Sequence, residues 1–123
     1  MIAAYFSQIE ATLQTFPNIR TYTLQTKVYN ATQGYIKGSI VFENGWRLDF
    51  VEVKDTDVDT KLKYRYQCMT EEQVLIFRYD NAPHHTEINT FPHHKHGPHQ
   101  VEESPEPTLY KVLLEIADIQ RHQ

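Results

Sequence analysis

Tyr35-Ile-Lys-Gly-Ser-Ile-Val-Phe-Glu-Asn-Gly-Trp-Arg-Leu-Asp-Phe-Val-Glu-Val-Lys54 is the stretch that decides the fold. Ile36, Gly38, Ile40 and Phe42 alternate with Tyr35, Lys37, Ser39 and Val41, and after Asn44-Gly45 the alternation resumes as Leu48, Phe50, Glu52 and Lys54. A period of two on both sides of Asn-Gly predicts an antiparallel hairpin with one buried face, closed by a type I′ turn. Strict alternation also puts Glu52 on the core-facing side. A carboxylate there needs either a β-bulge that turns it outward or a pocket with a partner for its charge.

The same period extends in both directions. Upstream, Tyr22, Leu24, Thr26 and Val28 oppose Thr21, Thr23, Gln25 and Lys27, a further strand that reaches the hairpin through the turn residues Asn30 to Gly34. Downstream, the acidic turn Asp55 to Asp59 leads into a fourth strand with Leu62, Tyr64, Tyr66 and Cys68 on one face. Lys61, Lys63, Arg65 and Gln67 on its other face form a basic stripe. Val74 to Tyr79 is a mainly apolar fifth strand. The flanks change period: Ile2, Tyr5, Phe6, Ile9, Leu13 and Phe16 recur at three and four, predicting a helix over 2–15 that Pro17 stops. Leu109, Val112, Leu113, Ile116 and Ile119 predict a terminal helix, with Ser104-Pro105 as its N-cap and first turn. The expected fold is α+β: one domain over 1–123, a five-stranded antiparallel meander between two helices, and a long His/Pro-rich loop over 80–104.

Composition narrows the function. The 123 residues carry a net charge of −4, which excludes a protein that coats nucleic acid non-specifically but permits a local basic site. The single cysteine, Cys68, excludes an intrachain disulfide framework or a multi-cysteine zinc site and fits a reducing cytoplasm. Its Tyr-rich strand face suggests a buried structural residue. The N-terminus lacks a basic segment ahead of an apolar run, and no stretch reaches the ~18 apolar residues of a membrane span. The expectation is a soluble, cytoplasmic chain without membrane association.

Function is expected in the loop and its approach. Six of the seven histidines (His84, His85, His93, His94, His96, His99) and five of the six prolines lie between Pro83 and Pro107. The embedded Ile88 and Phe91 favour a loop pinned to the body. Three readings suit these residue types. In the first, a metal-independent endoribonuclease, one imidazole from His84/His85 and one from His93/His94/His96 serve as base and acid. Arg78 and Lys95 are then the cations, with Asp80 and Glu52 as accompanying carboxylates. Lys61, Lys63 and Arg65 would lead RNA inward and Tyr79 or Phe91 would stack a base. In the second, His94 and His96 with His84, Asp80 or Glu52 hold a divalent ion such as zinc or nickel, although no standard zinc spacing is matched. In the third, the loop is an interaction surface and Arg78 with Asp80 a structural ion pair. A magnesium nuclease built on Asp49, Glu52 and Lys54 is discounted, because Asp49 and Glu52 fall on opposite strand faces.

The run Phe77-Arg-Tyr-Asp-Asn-Ala-Pro-His-His85 followed by Thr90-Phe-Pro-His-His-Lys-His96 resembles the signature of the TumE-like family of small prokaryotic toxins from type II toxin–antitoxin pairs. Gly45-x-x-Leu48-x-Phe50-x-Glu52 and Tyr64-x-Tyr66 resemble the family's strand motifs. The chain departs from the family pattern at Trp46, where the resemblance implies serine, and at Gln67, where it implies histidine. The resemblance implies a cognate antitoxin carrying a DNA-binding domain. With it, a toxin acting on RNA without a cofactor ranks first. A non-catalytic antitoxin-binding module or a metal-binding protein is the alternative, and a homodimer through the sheet edge stays open.

Overall fold

The computed structural model describes residues 1–123. Helix α1 (Ile2–Gln14) is followed by strands β1 (Ile19–Val28), β2 (Gln33–Phe42), β3 (Arg47–Asp55), β4 (Lys63–Met69), β5 (Leu75–Asp80), β6 (His94–His96) and β7 (Val101–Glu103), then by α2 (Leu109–Arg121). The strands form one antiparallel sheet in chain order, an open meander with β1 and β7 at its edges. The expected five strands are therefore seven. β6 and β7 lie inside the stretch read as loop, and at three residues each they are too short to show a period of two. The far edge of β5, whose unpaired backbone groups take Arg78↔His96, Tyr79↔Lys95 and Asp80↔His94, recruits β6, and β7 pairs in turn with β6.

Both helices cover one face. Ile2, Phe6, Ile9 and Leu13 of α1 and Val112, Leu113 and Ile116 of α2 bury against Ile36, Ile40, Leu48, Phe50, Tyr64, Tyr66, Cys68 and Phe77. Each such side chain contributes about 1.5–3 kcal/mol when fully buried. The register Gly38↔Phe50↔Tyr66↔Tyr79↔Lys95 runs across this face, and Ser39↔Asp49↔Gln67↔Arg78↔His96 runs across the other, which no helix covers. No helix is long and apolar enough to cross a membrane.

Three local expectations change. The Asn44-Gly45 turn is not type I′: Gly45 alone has positive φ (91°), its N–H bonds Phe42 O, and Phe42 N–H bonds Trp46 O. That is the longer hairpin loop that ends in a left-handed glycine. The last helix begins at Leu109 rather than near Ser104. Thr108 caps it by accepting from Lys111 N, while Pro105 and Pro107 hold the preceding residues extended. Lys61 lies before β4 and points inward, 7% exposed, with its ammonium on Glu106 Oε2 (3.2 Å) and Pro107 O (2.7 Å). It is no part of an exposed basic stripe, and Leu62 is exposed instead.

Glu52 is fully buried without a bulge, because the register of β3 with both neighbours is continuous. Its partners are two hydroxyls: Tyr5 of α1 donates to Oε1 and Tyr66 of β4 to Oε2. Burial first, then the charge of Glu52, holds both tyrosines protonated well above their usual range. The carboxylate thus clamps α1 to the sheet. Replacing Glu52 with Ala strands two buried donors and is expected to cost about 2–4 kcal/mol in urea unfolding, with Glu52→Gln milder because one acceptor remains.

Candidate functional site

The uncovered face of the sheet ends in a cluster of imidazoles. Period two puts Arg78 and Asp80 on this face of β5, and antiparallel pairing puts His96 and His94 of β6 beside them. The 81–93 connection folds back so that His85 joins the group. Ring centroids are 4.7 Å apart for His94 and His96, 5.0 Å for His85 and His94, and 5.5 Å for His85 and His96. One donor nitrogen from each of the three lies within 4.8 Å of the others.

Asp80 organises them. Its Oδ1 accepts from Ala82 N (3.0 Å) and lies 2.8 Å from His94 Nε2; its Oδ2 accepts from Arg78 Nε (3.1 Å) and lies 3.6 Å from His96 Nε2. His94 is 2% exposed, and its Nδ1 donates to Pro92 O at 2.9 Å. A neutral imidazole has one N–H, so the second contact, Nε2 against a carboxylate, needs a further proton or a cation. His96 is half-buried with its Nε2 outside hydrogen-bond range of Asp80. Burial first, then the Arg78 guanidinium, lowers its pKa, so the ring is held neutral at pH 7. His85 is oriented from the other side, with Nδ1 3.2 Å from Glu87 Oε1.

Alternation separates the remaining sequence candidates from this group. His93 faces the helix side, stacked on Tyr64 with Nδ1 2.9 Å from the hydroxyl. Lys95 and Tyr79 also face the helices, and both bind Glu115 of α2 at 2.6 Å. Lys95 is therefore no cation for the cluster, and Tyr79 is no base-stacking platform on its face. Glu52 and Lys61 are buried on the helix side. His84 is exposed and its ring makes no hydrogen bond within the chain; of the adjacent pair it is His85 that turns inward, so the histidine trio is His85, His94 and His96 rather than one containing His84. Phe91 is exposed on the loop.

Lys63 and Arg65 remain exposed on the cluster's face, and Arg65 is the strand partner of Asp80. Beyond them lies an open groove of about 580 Å³ across β1–β4, lined by Gln25, Lys37, Arg47, Asp49, Arg65 and Gln67 among others. Gln67 pairs with Arg78 across the strands, so groove and cluster are continuous. Of the lining residues Arg65 was expected at an RNA-binding surface, whereas Gln25, Lys37 and Arg47, like Glu87, were not singled out in sequence; the shared phase of Arg65, Gln67, Arg78 and Asp80 is the signal that connects groove and cluster. Cys68 is buried in the core, where burial pushes its thiol up to about 12, and it takes no part.

A family model described as Toxin TumE matches residues 9–122. No curated protein and no solved structure matches the chain.

The shift of His96 is directly measurable. In an NMR titration its ring should show a midpoint below the ordinary ~6.5, and Arg78→Met should move that midpoint upward. A midpoint at or above the ordinary value in the unmodified chain would contradict the geometry of the site.

Proposed function

The chain belongs to the TumE toxin family, and from that premise we propose that it is a toxin that cuts RNA at the His85–His96 cluster without a metal. The supporting observation is the convergence of His85, His96 and Arg78 at the end of a polar groove on the helix-free face. His96, kept neutral, takes the proton from a ribose 2′-hydroxyl as its oxygen bonds to the adjacent phosphorus. The bond from phosphorus to O5′ breaks, and His85, held through Nδ1 by Glu87, gives a proton to the leaving oxygen. The products are a 2′,3′-cyclic phosphate and a 5′-hydroxyl. Arg78, fixed by Asp80, offers its remaining N–H donors to the charge that grows on the phosphoryl oxygens. His94 touches no substrate in this scheme and acts as a positioning residue through Asp80.

Lys37, Arg47 and Arg65 in the groove, with Lys63 on the same strand as Arg65, outnumber the one carboxylate there, Asp49, and give a cationic bias that suits a single strand laid across the sheet. Membership in a toxin family implies an antitoxin partner, and a DNA-binding domain on that partner would fit the resemblance seen in the sequence.

Purified protein incubated with mixed RNA at pH 7 should leave cyclic-phosphate and 5′-hydroxyl ends, undiminished by chelator. His96→Ala and His85→Ala should each slow cleavage by about 10²–10⁴, while His84→Ala should leave it unchanged. Lys63→Ala with Arg65→Ala should weaken RNA binding and reduce its salt dependence, with a slope change of roughly 0.7 per lost phosphate contact. RNA left intact under all conditions would end the ribonuclease reading.

A further inference from the structure

We infer that the cluster is also a binding site for one divalent transition-metal ion of the zinc, nickel or cobalt class, and that this ion and an RNA phosphate exclude each other there. The binding stands on the cluster's geometry; the exclusion rests on the ribonuclease reading above. Three imidazoles from two segments present donor nitrogens within 4.8 Å of one another, and a fourth donor, Asp80, lies 2.8 Å from His94 Nε2 and 3.6 Å from His96 Nε2. In a tetrahedral shell with bonds of about 2.0–2.1 Å, neighbouring donors sit roughly 3.3 Å apart. Asp80 is therefore already near ligand spacing to His94 through Oδ1 and to His96 through Oδ2, and the three imidazole nitrogens, within 4.8 Å of one another, would draw in to close the shell.

The surroundings of His94 support the same conclusion. Its Nδ1–H is spent on Pro92 O (2.9 Å), so Nε2 is the nitrogen that faces Asp80 and would take a metal. A backbone carbonyl behind a ligating imidazole is the usual outer-shell arrangement of metal sites. The His94 Nε2 lies 2.8 Å from Asp80 Oδ1, a contact that a shared proton holds in the free site and that a metal ion would replace. Imidazole-rich donor sets favour borderline ions over magnesium or calcium, which prefer oxygen. Three histidines and an aspartate make a closed four-coordinate shell, with no open position for a reactive water. A metal there would also take the Nε2 lone pair of His96 that the cleavage reaction needs as base. The ion is thus an off-state of the site.

The test is a cobalt titration of the untagged full chain, read by the visible absorption of tetrahedral Co²⁺, with zinc as displacing ion. The expected result is saturation at one equivalent and full displacement by zinc. His85→Ala and His94→Ala should weaken binding about tenfold or more, and the double variant His84→Ala/His99→Ala should bind like the parent. If His94→Ala does not fold by circular dichroism, His85→Ala on the loop decides alone. Absence of a saturable band, or equal weakening by the His84/His99 variant, overturns the site. In the cleavage assay, zinc at its binding concentration should suppress RNA cutting and chelator should restore it; undiminished cutting by zinc-loaded protein overturns the exclusion while the cobalt result still judges the site. If metal-free protein cuts no RNA, the ribonuclease reading and the exclusion fail together, and the cobalt titration alone judges the site.

Discussion

Asp80 is the carboxylate on which the helix-free face depends. It is 7% exposed, at the C-terminal end of β5 where the chain leaves the sheet. A buried carboxylate is tolerable only with several donors or cations around it. Asp80 obtains them from three stretches of chain: Ala82 N just downstream, Arg78 on its own strand, and His94 on the strand that returns. These contacts shape the turn out of β5, aim the guanidinium and dock β6. Asn81 continues the work next door, since its side chain accepts from Tyr64 N and donates to Leu62 O, closing the start of β4. Thr90 then ties the far end of the connection to the segment before α2, accepting from Ser104 N and donating to His93 O. The histidines are held in place by a lattice of short polar contacts rather than by an apolar core.

The period of two lets one short motif serve both faces. In His93-His94-Lys95-His96 the even residues enter the cluster, while the odd ones turn to the helices, His93 onto Tyr64 and Lys95 onto Glu115. On the helix side, charged groups all serve assembly: Glu52 holds α1 through Tyr5, Lys61 holds the approach to α2 through Glu106, and Glu115 of α2 holds Tyr79 and Lys95. On the open face Asp80 is buried within the cluster, while Lys37, Arg47, Asp49 and Arg65 stay half-buried or exposed and line a groove. The division explains why a residue type that suggests chemistry proves structural in several places: the strand phase, not the side chain, decides which face it joins.

Much of this was legible in the sequence, for identifiable reasons. The long strands and both helices have enough residues to display a period, and the common face of Arg78 and Asp80 follows from that period alone. Glu52 was legible as a carboxylate in core phase, either turned outward by a bulge or buried with a partner; it is buried, and the partners are two tyrosines. The membership expected from Arg78–His96 is matched by the family model over nearly the whole chain. The rest was hidden for equally physical reasons. β6 is held by the vacant edge of β5 and β7 by β6, a tertiary cause with no local pattern. Lys61 is in phase with Lys63 along the sequence, but a contact with Glu106, 45 residues away, pulls it inward. The choice of His85 over His84 is made by the path of an irregular loop, which no periodicity describes.

The acid–base and metal-binding readings of the cluster use the same lone pairs, and Asp80 is common to both. As a hydrogen-bond acceptor, it fixes Arg78 and His94 and leaves the His96 Nε2 outside bonding range, open to a substrate proton. As a ligand it would supply the fourth donor and close the shell. The half-burial that keeps His96 neutral also preserves the lone pair a metal would seek. On the proposed readings, the lone pair that serves as base is the one a borderline cation would bind. His85 is the one member carried by the loop rather than by a strand, and in the proposed scheme it would face a leaving oxygen in one state and join the ligand set in the other.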